Sequence, residues 1–385
     1  MKRSMLFLPL CLALLAAAPS HAQYVWINVS FKAVLNPTNG TRFYPFTVDD
    51  IDAGIARMNA TLATYQRGYR VRRVGPLYDV GGIGDTTGPS KWYSANPRDP
   101  YPPNPNVRNQ EQMDSEARNN PAVYRWNPNA LNYYVVAGFG PSLTDSNGVA
   151  VGQPAGEGAF PSAGFQIVTL GTVHSDLVIL HETGHWLELY HTHGNCVRDN
   201  SNACGTAANC NVAAPFFGWR LGDDGIADTL PVQAGDFCFT SRDNVAAANY
   251  GVAYSFCTAE QQNLVDDTYL NLMAYGFNKV LDRLTPQQLD KWTRYANIER
   301  SFAMSGRTRF VSPTGSDGNT GLVGTSPKRT VFNAVSASSV GGGDIVLLRP
   351  GSYNELITIN RPVTLRAGAT NSFGANPLQA TIGRP

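Results

Sequence analysis

The segment Tyr24–Leu35, YVWINVSFKAVL, alternates apolar and polar side chains and so predicts a half-buried β-strand. In TVDDIDAGIARMNATLATYQRGY, apolar Val48, Ile51, Ile55, Met58 and Leu62 recur at helical spacing behind Thr47, a residue type that caps helix N-termini. RVRRVGPLYDVG predicts a second strand. WYSANPRDPYPPNPNVRNQEQMDSEARNN is too rich in proline and asparagine for regular structure and predicts a surface excursion. LNYYVVAGF and GFQIVTLG predict two further strands. The second runs into a helix with Ser175 as N-cap and Asp176 at the positive end of its dipole. The helix in LTPQQLDKWTRYANIERSF is expected to close this unit by turning Leu289, Trp292 and Ile298 inward. Strands backed by helices predict an α/β (α+β) layered domain over residues 23–304.

The two ends read differently. Residues 1–22 carry Lys2 and Arg3, an apolar run from Met5 to Ala18 and the small-x-small site Ser20-His21-Ala22, the pattern of a secretory signal peptide cleaved near Ala22. The run is shorter than the ~20 apolar residues of a membrane span, so the mature chain is expected to be secreted, either extracellular or periplasmic. Beyond Phe302, short strand patterns alternate with Gly, Ser and Pro turns, which puts a boundary near Ser305. Residues 305–385 resemble the first turns of a right-handed parallel β-helix. Such solenoids need roughly three or more repeats to bury a core. An unfinished one exposes a strand-edged end on which a polymer, a surface or a protein partner is expected to dock. Residues 309–385 carry no histidine or cysteine, so this tail is expected to be dispensable for catalysis.

Composition narrows the classes. The chain has 385 residues, 43% apolar and 15% charged, which is enough for a large core and about two domains. Its net charge of +1 gives no global pull toward nucleic acid or an anionic membrane, so partners must be read from local sites. With Cys11 inside the signal segment, Cys196, Cys204, Cys210, Cys238 and Cys257 remain, and an exported chain is expected to form two disulfides and keep one thiol. The pairing stays open, and no close C-x-x-C pair favours a cysteine-zinc site.

Five of the six histidines lie between His174 and His193, around LVILHETGHWLELYHTHG. His181 and His185 are four apart, so one helix face presents both imidazoles to a single metal ion. Glu182 stands beside them, as H-E-x-x-H requires if two neutral imidazoles hold zinc and a carboxylate takes a proton from the bound water. On a continuing helix His191 would sit about 240° round from His185, so it can ligate only if the helix stops near Glu188 and the chain turns back. His174 and His193 are expected to be structural or surface residues.

HETGHWLELYH matches H-E-x-x-H-x-x-G-x-x-H at every defined position but the glycine, and Asn271-Leu272-Met273-Ala274-Tyr275 follows far downstream. With GDDGIADTLPVQ and GEGAFPSAGFQIV, these segments resemble the metzincin zinc peptidases, most closely the pappalysin and cytophagalysin branch, over roughly Tyr24 to Phe302. The resemblance implies that His181, His185 and His191 ligate Zn2+ and that Glu182 is the general base and acid. It implies Met273 as the methionine beneath the site and Tyr275 as a donor to the oxyanion. The chain departs from the family at Glu188 for glycine, at Leu230 within D-T-P, and at Ala274 where aspartate is usual. A left-handed backbone at Glu188, which the motif's glycine implies, costs a non-glycine residue roughly 1–2 kcal/mol.

The reading expected from these features is a secreted zinc metalloendopeptidase acting on polypeptides. Its rivals are a catalytically inactive metalloprotease-like binding protein and a carbohydrate-binding or adhesive β-helix protein. A zinc peptidase with a distant carboxylate ligand such as Glu260 is the nearest mechanistic variant. His181 and His185 as core histidines, and Met273 as a core gap-filler, are the structural alternatives. Asp223, Asp224 and Asp228 offer clustered oxygens for Ca2+, or form an acidic surface turn.

Overall fold

The computed structural model describes residues 24–139, 143–144, 150–152, 156–158, 160–192, 224–230, 241–274, 280–367 and 380–382. The signal segment therefore lies outside the described residues, as do Cys196, Cys204, Cys210 and Cys238. Cys257 is a buried free thiol. Among the described residues no helix is long and apolar enough to cross a membrane.

The chain begins with β1 (Val25–Val34), α1 (Val48–Thr64), β2 (Tyr69–Arg73) and β3 (Tyr78–Val80). The antiparallel pair β4 (Pro100–Tyr101) and β5 (Asn104–Arg108) follows, then α2 (Asn109–Asn119) and β6 (Leu131–Val135). A second small ribbon, β7 (Leu143–Thr144) with β8 (Ala150–Gly152), precedes β9 (Gly156–Gly158), β10 (Ile167–Leu170) and α3 (Asp176–Trp186). The main sheet runs β2-β1-β6-β10-β9, with β3 also paired to β1. Every pair in it is parallel except β9, which runs antiparallel along β10 at the edge.

Period-two alternation splits the sheet's side chains between two cores. Val25, Ile27, Val29, Phe31, Leu131, Tyr133, Val168 and Leu170 enter the main core with α1 and α3. Val34, Val80, Tyr134, Val136 and Ile167 face the other way, onto Trp92, Met113, Ala117 and Tyr124. Helix α1 starts with a capping box between Thr47 and Asp50 and buries Ile51, Ile55, Met58 and Leu62 of its apolar stripe, while Val48 in the first turn is only half-buried.

Four expectations need correction. β1 is not half-buried: as an interior strand between β2 and β6 it is buried on both faces from Val29 to Val34. RVRRVGPLYDVG forms two strands, β2 and β3, which pair with successive parts of β1 because Gly75 and Pro76 interrupt the run. The supposed irregular excursion contains the 11-residue helix α2, whose Glu111 accepts the Arg108 N–H at 3.2 Å. It also supplies one wall of the second core. Ile298 does not turn inward: it caps the C-terminus of the closing helix and is 46% exposed, whereas Leu289 and Trp292 are buried.

The remaining helices are α4 (Arg242–Tyr250), α5 (Ala259–Tyr269) and α6 (Pro286–Asn297). The last segment holds β11 (Thr308–Val311), α7 (Val331–Ser336), β12 (Asp344–Leu348), β13 (Gly351–Tyr353), β14 (Val363–Ala367) and β15 (Ala380–Ile382). β11, β12 and β14 pair in parallel, and β13 pairs in parallel with β15. The expected boundary near residues 304–305 is crossed by several contacts. Ile345 joins the main core. Asn297 Nδ2 donates to the carbonyls of Thr308 at 2.7 Å and Leu322 at 2.9 Å. Asp290 pairs with Arg67 at 3.0 Å and with Arg349 at 2.9 Å.

Candidate metal centre

Helix α3 carries the first part of the site. Ser175 Oγ accepts the Val178 N–H at 3.4 Å, and Asp176 sits in the first turn, where negative charge suits the helix dipole. Its side chain also pairs with Arg57 at 2.9 Å. The helix ends at Trp186 with Leu187 as its cap. Glu188 then adopts φ 65°, the left-handed conformation that reverses the chain, and the Leu189 N–H donates back to the Gly184 carbonyl at 2.9 Å.

This reversal brings His191 back over the helix. Its Nε2 lies 3.1 Å from His181 Nε2 and 2.9 Å from His185 Nε2. A tetrahedral zinc with Zn–N bonds of ~2.0–2.1 Å sets its ligand nitrogens about 3.3 Å apart, close to these separations. The opposite ring nitrogens are fixed as well. His181 Nδ1 donates to the Leu272 carbonyl at 2.6 Å and His185 Nδ1 to the Leu189 carbonyl at 2.7 Å. A carbonyl can only accept, so each Nδ1 holds the proton and each Nε2 keeps a lone pair for a cation. The three histidines form a group able to hold a metal ion, and the donor set is compatible with zinc.

Glu182 is 5% exposed, and its buried Oε2 has no hydrogen-bond partner among the described residues. Burial, then the nearby Glu157, pushes its carboxyl up to about 8; Arg98 and the Gly158 amide oppose the rise. A cation between the histidines would draw it down again. Edge strand β9 presses on this carboxylate. A Cβ on Gly156 would lie 2.8 Å from Glu182 Cδ, and one on Gly158 would lie 2.6 Å from the His185 Cβ. Only glycine at both positions permits that approach. Glu157 between them pairs with Arg98 at 2.5 Å and Arg108 at 3.0 Å, which ties β9 to the α2 side of the sheet. The sequence signal was the G-E-G spacing, but the contact with Glu182 is tertiary and could not be read from it.

The floor of the site is the turn Asn271–Ala274. Asn271 Oδ1 accepts the Met273 N–H at 2.9 Å, and Asn271 Nδ2 donates to the Asp267 carbonyl and to Gln288 Oε1, both at 2.9 Å. Met273 is fully buried, and its carbonyl accepts the Thr192 N–H at 3.3 Å, one residue beyond His191. The Leu272 and Leu189 carbonyls that orient the histidines have no side-chain signature, so sequence reasoning missed them. It also missed that the Glu188 side chain accepts bonds from Ser162 and Tyr190.

Other candidates fall elsewhere. Tyr275, His193 and Asp223 lie outside the described residues. His174 is exposed, with its ring 5.3 Å from that of Tyr44. Glu260 is in the first turn of α5 and does not belong to the metal-capable group. Asp224 is fully buried and accepts from the Ile226 N–H at 3.0 Å, the Thr229 hydroxyl at 2.6 Å and Gln288 at 3.2 Å. Asp228 accepts from the Thr285 hydroxyl at 2.6 Å and the Gln287 N–H at 2.9 Å. These two carboxylates thus anchor the loop to α6 through protein donors.

No family model matches the chain, and no curated protein matches it. Among solved structures, it is similar to mature mirolysin of Tannerella forsythia in complex with a cleaved peptide, at 16% identity and a TM-score of 0.41. That similarity covers 73% of this chain and 96% of mirolysin. A chaperone–substrate complex is similar at 16% identity and a TM-score of 0.26, over 53% of this chain and 36% of that one.

Proposed function

We propose that the chain is a secreted zinc-dependent endopeptidase of the metzincin type. The observation that carries this reading is the convergence of three imidazole Nε2 atoms from α3 and the turn after it, two with their Nδ1 protons held by carbonyls. A zinc ion held by His181, His185 and His191 would supply Lewis-acid polarisation of the scissile carbonyl and ease the ionisation of water. Glu182, buried one residue from the first ligand, takes the proton of the attacking water and returns it to the leaving amine. Tyr275, two residues beyond Met273, is assigned by family resemblance the role of donating a hydrogen bond to the oxyanion. The basic start, apolar run and Ser20-His21-Ala22 site support secretion with cleavage near Ala22. The parallel pairing of β11, β12 and β14 supports a solenoid-like tail suited to attachment rather than chemistry.

The test is digestion of a peptide library by the purified mature chain, with and without a zinc chelator, alongside its metal content. One zinc per chain is expected, with internal cleavage that stops on chelation and returns when zinc is restored. Cleavage that survives complete removal of metal would sink the reading.

A further inference from the structure

Glu188 stands where the resembled motif has glycine, and it takes the left-handed conformation, φ 65°, that glycine adopts without strain. The chain nevertheless buries a carboxylate there, only 3% exposed. Both of its oxygens are engaged. Oε1 accepts the Tyr190 hydroxyl at 2.6 Å, and Oε2 accepts the Ser162 N–H at 3.0 Å.

These two bonds join separate parts of the site. Tyr190 immediately precedes His191, and Ser162 belongs to the short turn Pro161–Ala163 between β9 and β10. Phe160, at the start of that turn, continues the link: its ring stacks on Tyr190 at 4.8 Å and meets His185 edge-on at 5.0 Å. Lys291 of α6 places its Nζ 4.3 Å from the centroid of the same Tyr190 ring. Lys291 and Arg300 both feel the Glu188 charge, so the buried carboxylate sits among cations.

We propose that Glu188 is a positioning residue for the third metal ligand: its carboxylate clamps the turn that carries His191 to the 160–163 turn beside His185. The proposal rests on the zinc reading of the three histidines. Glu188 is not itself a ligand, since both oxygens face Tyr190 and Ser162 and the metal-capable group contains the histidines alone. His191 lies beyond the end of α3, where no helical ladder fixes it, so a side-chain clamp has a positional task there that neither His181 nor His185 needs.

The experiment compares the full mature chain with Glu188→Gly, Glu188→Gln and His191→Ala. It reads zinc affinity by chelator competition, the visible spectrum of the cobalt-substituted protein, kcat and KM separately, and unfolding temperature without metal. Glu188→Gly removes the clamp while easing the backbone. It is expected to weaken zinc binding by about 10- to 100-fold, the usual effect of losing a group that orients a ligand, and to alter the cobalt spectrum. Glu188→Gln keeps one acceptor and should fall between Glu188→Gly and the unaltered chain. Zinc affinity and cobalt spectrum unchanged in Glu188→Gly would overturn the proposal and leave Glu188 a mere occupant of a glycine position. If Glu188→Gly does not fold, Glu188→Gln decides: weaker zinc binding at an unchanged unfolding temperature supports the clamp, and unchanged binding overturns it. Zinc binding that is absent from the unaltered chain, or equally tight in His191→Ala, would instead remove the metal-site reading underneath.

Discussion

Met273 packs directly against Gly184: a Cβ on that glycine would lie 2.5 Å from the methionine sulfur and 3.2 Å from its methyl carbon. Gly184 lies between the two α3 histidines in sequence, so the absence of a side chain lets the ligand helix settle on the turn below. The same approach brings the Leu272 carbonyl within 2.6 Å of His181 Nδ1. One turn, Leu272–Met273, therefore both supports α3 and fixes the tautomer of His181.

Gly184→Ala tests that contact. In a helix interior, alanine is favoured over glycine by about 1 kcal/mol, whereas an extra carbon forced into a close-packed core costs roughly 1–3 kcal/mol. Met273 is fully buried and has little room to withdraw, so overpacking should win. The variant should unfold at a lower temperature and bind zinc more weakly. Adding Met273→Ala should recover part of the Gly184→Ala effect, as coupling between touching residues requires. If Gly184→Ala instead raises stability and leaves zinc binding intact, the contact is looser than described.

Glu182→Gln separates metal binding from catalysis. The side chain is outside the metal-capable group, so zinc content should hold. Loss of a general base should lower kcat by at least ~10²-fold. Because burial already holds the metal-free Glu182 largely as the neutral acid near neutral pH, a neutral amide of similar shape should change metal-free unfolding little. Turnover equal to that of the unaltered chain would remove Glu182 from the mechanism.

His191→Ala and His193→Ala form a pair of opposite expectations. His191 Nε2 lies within 3.1 Å of the Nε2 atoms of His181 and His185, and its removal should lower zinc occupancy and peptide cleavage together. His193 is expected to be structural or exposed, so its alanine variant should keep both near normal. Zinc analysis of the two purified variants decides, and dependence on His193 would mean that the turn after Leu187 ligates through another residue.

Much of this arrangement was legible in the sequence for definite physical reasons. β1 and α1 declare themselves because a strand and an amphipathic helix repeat at two and 3.6 residues, although the alternation of β1 does not reveal that its polar Ser30 and Lys32 are buried too. Helix geometry requires a turn near Glu188 if His191 is to join His181 and His185, and the φ of 65° at Glu188 supplies that turn. Helix α2 escaped notice because it buries polar Asn109, Gln110 and Asp114 beside only Met113 and Ala117, so it has no apolar stripe. The helical period points Ile298 inward only if α6 continues past Asn297, where the chain is already capping. The strand order and the pressure of β9 on Glu182 were out of reach, since pairing partners are tertiary facts that local patterns do not encode.

Removing the tail distinguishes folding from chemistry. Every described side chain of the metal centre lies before residue 290, so a chain ended after Ser305 should still bring His181, His185 and His191 together. It should not be equally stable. Ile345, fully buried in the main core, would be lost, at about 1.5–3 kcal/mol for a side chain of that size. Asn297 Nδ2 would lose both of its acceptors on Thr308 and Leu322, but water reaches it once that segment is gone, so each bond adds only about 0.5–1.5 kcal/mol. Asp290 would keep Arg67 when Arg349 is removed, so that pair adds little. The expected outcome is a clear fall in unfolding temperature, with zinc binding and cleavage of small peptides close to those of the full chain well below that temperature. Unchanged unfolding would show that these contacts contribute nothing in solution. Loss of peptide cleavage while the truncated chain is still folded would make the tail part of the catalytic unit.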